Sequence, residues 1–163
     1  RRVGGVELTH VDAAGAARMV DVSEKVPGAR VAVATGVLRT TAEVVELLRR
    51  DGLPKGDALA TARVAGIMGA KRTPDLVPLC HPIALTGVTV DLRLDPAAVR
   101  ITATVKTTDR TGVEMEALTA VAVAGLTLHD MVKAVDPAAV LDGVRVERKD
   151  GGKTGSWTRP DDR

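Results

Sequence analysis

The chain contains no Phe and no Tyr, and its single Trp, Trp157, lies close to the C-terminal end. A core without aromatic rings has to be assembled from Ala, Val, Leu and Ile. Hydrophobic residues make up 45% of the 163 positions, enough to build one compact domain that way. The same deficit excludes function classes. Single-strand nucleic-acid binders stack bases on aromatic side chains, and RNA-recognition domains carry such residues on their central strands. Charge points the same way, because 23 Lys and Arg against 21 Asp and Glu leave a net +2, not a polyanion-binding surface. No apolar run approaches the ~18 residues needed to cross a bilayer, and Arg1-Arg2 is followed by Gly4-Gly5 and a charged stretch rather than by an apolar leader. The single Cys80 leaves no internal disulfide to form, so the cytoplasm is the expected compartment. The three histidines, His10, His81 and His129, show no zinc-ligand spacing with it, and no metal is expected.

Hydrophobic periodicity orders the chain. Residues 1–29 have no sustained period and read as an N-terminal arm. Residues 31–38 alternate as a strand. Thr40 with Glu43 has capping-box spacing and opens a helix carrying Val44, Leu47 and Leu48 that stops at Gly52. Asp57 is an N-cap candidate for a second helix ending at Lys71-Arg72, where cations complement the helix dipole. Pro74, Pro78 and Pro82 predict a stiff, extended segment over 74–82. Strands at 88–94 and 99–106 alternate across a short Asp95-Pro96-Ala97-Ala98 connector, a hairpin with one wet face. An Ala-rich helix spans about 112–135, with Thr111 and Glu114 at capping-box spacing, and a strand at 144–148 leads to a flexible tail over 150–163. This order predicts an α+β, ferredoxin-like β-α-β-β-α-β sandwich with one additional helix, an antiparallel sheet and a single domain over 1–163.

Chemistry-bearing residues cluster on the long helix and the Pro-rich segment. At 100° per residue, Glu114 and Glu116 point about 200° apart, so they are no paired carboxylate couple. Glu116 and Asp130 share a face but stand roughly 21 Å apart on a continuous helix. Either they serve different ends of an elongated ligand, or a site is shared between chains. Asp130 and Lys133 are i, i+3 neighbours, the spacing of a surface ion pair. Cys80 and His81 are adjacent in an extended segment and point to opposite sides, which disfavours a nucleophilic dyad. Cys80 reads as a small buried hydrophobe, and His81 as either a packed histidine or a substrate contact. Lys55, in PKGD, precedes a helix N-terminus, where anions are favoured. GGKTG at 151–155 resembles the end of a phosphate-binding loop, but residue 147 is Glu where that motif needs its first Gly, and no helix follows.

Taken together, the blocks LTHVDAAGAARMVDVSEK, KGDALATARVAGIMGAKRTPDLVPLCHP, TGVEMEALTAVAVAGLTLHDMVKAV and KDGGKTG give a chain that, from about residue 8 to 155, resembles the MoaC family. These are the cyclic pyranopterin monophosphate synthases of molybdenum-cofactor biosynthesis. The resemblance implies a lyase that converts (8S)-3′,8-cyclo-7,8-dihydroguanosine 5′-triphosphate to cyclic pyranopterin monophosphate with release of pyrophosphate. It implies no cofactor, a ferredoxin-like fold, and a homohexamer built as a trimer of dimers with the site at the dimer interface. Asp130 in HDMVKA matches the family's catalytic acid, with Lys133 beside it, and Lys55 matches another essential lysine. Leu79, Cys80, His81, Glu114, Met115 and Glu116 fall on substrate-contacting segments. Lys71, Arg72, Lys149 and Lys153 fall at basic positions suited to a triphosphate, and the resemblance implies an additional Arg whose charge either Arg30 or Arg39 supplies. A non-catalytic regulatory module binding a small molecule is the competing reading, since ferredoxin-like domains bind effectors at dimer interfaces.

Overall fold

In the computed structural model, which describes residues 2–3, 6–7, 16–24, 27–53, 55–153 and 155–161, the alternation of residues 28–39 builds the central strand of the main sheet. Much of the expected 1–29 arm, His10 included, lies outside the described residues; two short strands there, β1 (Arg2–Val3) and β2 (Val6–Glu7), pair antiparallel. The chain continues as β3 (Gly28–Arg39), α1 (Ala42–Arg49), α2 (Ala58–Lys71), a helical turn α3 (Thr73–Leu76), the hairpin β4 (Leu85–Asp95) and β5 (Ala98–Asp109), α4 (Glu114–Val132), β6 (Val140–Asp150) and β7 (Trp157–Thr158). The sheet order is β4-β5-β3-β6-β7 with every neighbouring pair antiparallel. Its first four strands follow the ferredoxin-like order, each half contributing a strand–helix–strand crossover. The fold is α+β and ferredoxin-like.

Helices cover one face of the sheet. Ala32, Ala34 and Leu38 of β3 and Val99, Ile101, Ala103 and Val105 of β5 are buried beneath Ala117, Ala120, Val121, Ala124 and Leu128 of α4. The other face carries the half-buried Val31, Val33 and Val37 and the charged Asp91, Arg93, Arg100 and Arg145. With 19 residues and few charges, α4 is long and apolar enough, by length and composition alone, to cross a bilayer, contrary to the sequence expectation. Its packing accounts for that apolarity: the helix is hydrophobic because it lies between the sheet and α2 in the core.

Helix ends depart from expectation by one residue and one turn. The N-cap of α1 is Thr41, whose Oγ1 accepts from the Val44 amide at 3.2 Å; Thr40 Oγ1 instead donates to Asp136 Oδ2 at 2.8 Å. Asp57 caps α2 as expected, accepting from the Ala60 amide at 3.0 Å. The Thr111–Glu114 box does not form: Val113 is the N-cap of α4, without a side-chain cap bond, and Glu114 is drawn to Lys149 instead. Residues 73–76 are helical rather than extended because Pro74 sits in the first turn, where its missing amide costs no hydrogen bond. Thr73 pins that turn to α2, its buried hydroxyl facing the carbonyls of Ala70 at 3.0 Å and Gly69 at 3.3 Å. The 150–163 segment, read as a flexible tail, supplies β7, with Trp157 opposite Lys149 and the Arg159 amide donating to the Glu147 carbonyl at 2.8 Å.

With no large rings to fill space, α2 and α4 approach through small residues. A Cβ at Gly66 would meet the Ala120 carbonyl oxygen at 3.0 Å and Val90 at 3.1 Å, and one at Gly69 would meet Val123 at 2.8 Å. Gly66→Val is therefore expected to destabilise by about 1–3 kcal/mol or more through overpacking. Gly28→Ala, with nothing within 4 Å, is expected to stay within ~0.5 kcal/mol. Urea unfolding midpoints of the two variants check this.

Candidate active site

The antiparallel packing of α2 on α4 divides the sequence candidates between the two ends of α4. Gly69 meets Val123 near the middle of the pair, and Lys55, just before α2, meets Asp130 in the last turn of α4. A carboxylate in that last turn faces the negative end of the helix dipole and needs positive neighbours. It has two. Lys55 Nζ donates to Asp130 Oδ2 at 2.7 Å, and Lys133 Nζ, at the helix C-cap, lies 2.8 Å from Asp130 Oδ1. All three side chains are about half exposed. Hydrogen bonds from Lys133 and then Lys55 hold the Asp130 pKa down at about 2, so the group is a carboxylate at neutral pH. Lys55 thus reaches across to α4 instead of serving the α2 N-terminus, where Asp57 already caps.

The remaining acidic candidates and Lys149 and Lys153 gather at the other end. Glu116 is 3% exposed in the first turn of α4, and burial, with the nearby Glu114 charge, raises its pKa although its own backbone amide donates to it. Cys80, partly buried, lies within reach of that charge; burial first and Glu116 second push the thiol up, which leaves it protonated rather than a nucleophile. Met115 is exposed beside them, and Leu79 and His81 are half-buried in the segment leading to β4. Glu114 Oε1 pairs with Lys149 Nζ at 3.3 Å. Its carboxylate folds back over Gly112, where a Cβ would collide with it. Lys71 and Arg72, exposed at the end of α2, are carried toward this end by the antiparallel helix pair.

Two cavities open here. One, of about 640 Å³, is lined by His81 and by Asp21, Asp109, Arg110 and Thr111. The second, about 270 Å³, is lined by Thr111 and by Arg30, Glu114, Lys149, Gly152 and Lys153. Thr111 lines both, so they adjoin. Asp21 escaped the sequence reading; its carboxylate accepts from the Ser23 amide at 2.9 Å, and this bond, more than the nearby His81, lowers its pKa. Its place in the MVDVSEK block was the available signal. A further cavity of about 570 Å³ lies on the open sheet face among Arg39, Arg93, Arg100 and Arg145, and of the site candidates named from the sequence it holds only Arg39. Among the described residues, no three His, Cys, Asp or Glu side chains are grouped to hold a metal ion.

Fourteen residues of the unbroken α4 separate Glu116 from Asp130, roughly 21 Å at 1.5 Å per residue. One chain therefore presents an acidic–basic cluster at one end of the helix and a cationic, pocketed cluster at the other.

Comparison with known proteins bears on this pair of clusters. A model of the MoaC family matches residues 19–152. A cyclic pyranopterin monophosphate synthase of Streptomyces coelicolor is 69% identical over 152 residues, 93% of this chain and 89% of the relative. Cyclic pyranopterin monophosphate synthase 2 of Mycobacterium tuberculosis is 65% identical over 153 residues, 94% of this chain and 92% of its own length. A cyclic pyranopterin monophosphate synthase of Corynebacterium efficiens is 61% identical over 152 residues, 93% of this chain and 98% of its own.

The Asp130 cluster makes a pH prediction. A pKa depressed from 3.8 to about 2 contributes stability at pH values above the unfolded value, lost as pH falls through the folded one. Carboxyl-carbon NMR titration should give Asp130 a midpoint near 2, moving back toward 3.8 in Lys133→Ala and in Lys55→Ala. An unmoved midpoint in both variants would contradict the pairing.

Proposed function

The chain belongs to the MoaC family, and on that premise we propose that it converts (8S)-3′,8-cyclo-7,8-dihydroguanosine 5′-triphosphate to cyclic pyranopterin monophosphate and pyrophosphate, as a lyase of molybdenum-cofactor biosynthesis. The observation that carries the proposal beyond family membership is the Lys55–Asp130–Lys133 cluster, in which the turn ahead of α2 meets the end of α4 across 75 positions of sequence. The reaction opens a ring aminal, rebuilds a pterin and closes a cyclic phosphate, steps that need proton transfer and neutralisation of a leaving pyrophosphate.

At neutral pH Asp130, with a pKa of about 2, is too weak a base to hold a proton for long. Its part is to fix the two ammonium groups, and Lys55 and Lys133 carry the protons exchanged with the reacting ring. His81, Glu116, Glu114, Met115, Leu79 and Cys80 contact the base-derived part of the substrate, and Lys149 and Lys153, with Lys71 and Arg72, face the triphosphate. No cofactor enters. The cytoplasm is the compartment this reading assigns, where the lone Cys80 stays reduced.

A small substrate does not span roughly 21 Å of one helix. The reading therefore has the Asp130 cluster of one subunit face the Lys149–Lys153 end of a second, in a homohexamer arranged as a trimer of dimers. Sedimentation should give an assembly of dimers; a fully active monomer would overturn this part.

Asp130→Asn and Lys133→Ala are each expected to lower single-turnover conversion by ~10²–10⁴-fold. The double variant should be little worse than the worse single, because the residues act as a unit. Thermal melts run alongside should move little, since exposed ion pairs contribute little to stability. Near-normal turnover in Asp130→Asn would refute the assignment.

A further inference from the structure

His81 enters the cavity of about 640 Å³ from a backbone with little freedom. It lies between α3 and β4, and Pro82, immediately after it, disfavours helical torsions at position 81. With the main chain set, one partner on the imidazole decides which ring nitrogen carries the proton and which is left to the cavity. The groups that share the cavity from other elements are Asp21, on the segment ahead of β3, and Asp109, Arg110 and Thr111, at the end of β5 and on the way to α4.

Two of these are carboxylates, and each gives one oxygen to a main-chain amide. Asp109 Oδ1 accepts from the Arg110 amide at 2.7 Å, and Asp21 Oδ1 accepts from the Ser23 amide at 2.9 Å. The Ser23 amide first, and the Ser23 hydroxyl after it, hold the Asp21 carboxyl below its ordinary range. His81 acts in the same direction, so the imidazole stands within electrostatic reach of this carboxylate. With Oδ1 tied to Ser23, the second oxygen of Asp21 is the one that can accept from a ring N–H.

We propose that Asp21 is a positioning residue for His81: its second carboxylate oxygen accepts from one ring N–H and fixes the tautomer in which the other ring nitrogen faces the cavity as an acceptor. That the other nitrogen meets the base-derived part of the substrate rests on the function proposed above. A guanine-derived ring presents an exocyclic amino group as a donor, which an acceptor nitrogen suits.

Asparagine makes a sharp test. In Asp21→Asn only the amide oxygen can keep the Ser23 bond, so the NH₂ group turns to the imidazole. A donor in that place selects the opposite tautomer. Ring-nitrogen NMR of the full chain at about pH 9, where imidazoles are neutral, should show one nitrogen of His81 protonated in the wild type and the other in Asp21→Asn. Loss of the signals in His81→Gln assigns them. Asp109→Asn should keep the wild-type tautomer. An unchanged tautomer in Asp21→Asn, a mixture in the wild type, or an exchange in Asp109→Asn instead would each overturn the proposal.

Single-turnover conversion of the cyclised nucleotide, run in parallel, decides the reaction separately. Asp21→Asn should lower it by about 10-fold or more, as for a lost hydrogen bond to a charged group, and should add little to the loss in His81→Gln. Fully additive losses would overturn the positioning role. No turnover by the wild type, together with the tautomer exchange, would sink the reaction and leave the Asp21–His81 pair standing.

Discussion

The close approach of α2 and α4 is the constraint on which the rest of the molecule depends. Gly66 and Gly69 bring the α2 backbone against Ala120 and Val123, so that a side chain at either position would have to displace backbone or a β-branched neighbour. A chain without Phe or Tyr fills its interior by shrinking it, and Ala62, Ala70, Ala117, Ala120 and Ala124 show how. The consequence reaches the site. Because the helices run antiparallel at short range, the residue just ahead of α2 reaches the last turn of α4, and the end of α2 is carried toward the first turn of α4. Function here follows from how narrow the gap between two helices is.

Electrostatics then separates the two ends of α4. At its C-terminal end the backbone carbonyls disfavour Asp130, and two lysines supplied by different elements, Lys55 before α2 and Lys133 at the C-cap, reverse that preference strongly enough to hold its pKa at about 2. At the N-terminal end two acids stand two residues apart in different surroundings. Glu114 is partly exposed and paired with Lys149, while Glu116 is buried and has its pKa raised. Opposite treatment of neighbouring carboxylates comes from the helix period itself, which turns one toward solvent and its partner into the core.

The order of elements was legible because it rests on period: β3, β4 and β5 alternate residue by residue, and Asp57 announces α2 with a side chain that does cap it. The ferredoxin-like plan follows from that order alone. Details that depend on competition between equivalent neighbours were not legible. Thr40 and Thr41 are the same residue type, and only the pull of Asp136 on the first decides that the second caps α1. Thr111 and Glu114 have the spacing of a capping box, yet Glu114 is drawn to Lys149 on another element. The candidate site divides along the same line. Asp130 and Lys133 are local neighbours readable from spacing, whereas Lys55 joins them across 75 residues and is invisible to any periodicity. Asp21 lay in a segment with no sustained pattern, and its place beside His81 shows only when the two are brought together by the fold.

The lone indole has a consequence of its own. Trp157 stands on β7 opposite Lys149 in the strand register, with the Arg159 guanidinium 5.5 Å from its ring centre, and the Gly-rich turn lies between it and β6. With no tyrosine in the chain, every photon of intrinsic fluorescence originates beside that turn. The aromatic poverty that forced a core of small aliphatic side chains has also left the molecule with a single optical probe, placed across the strand register from Lys149.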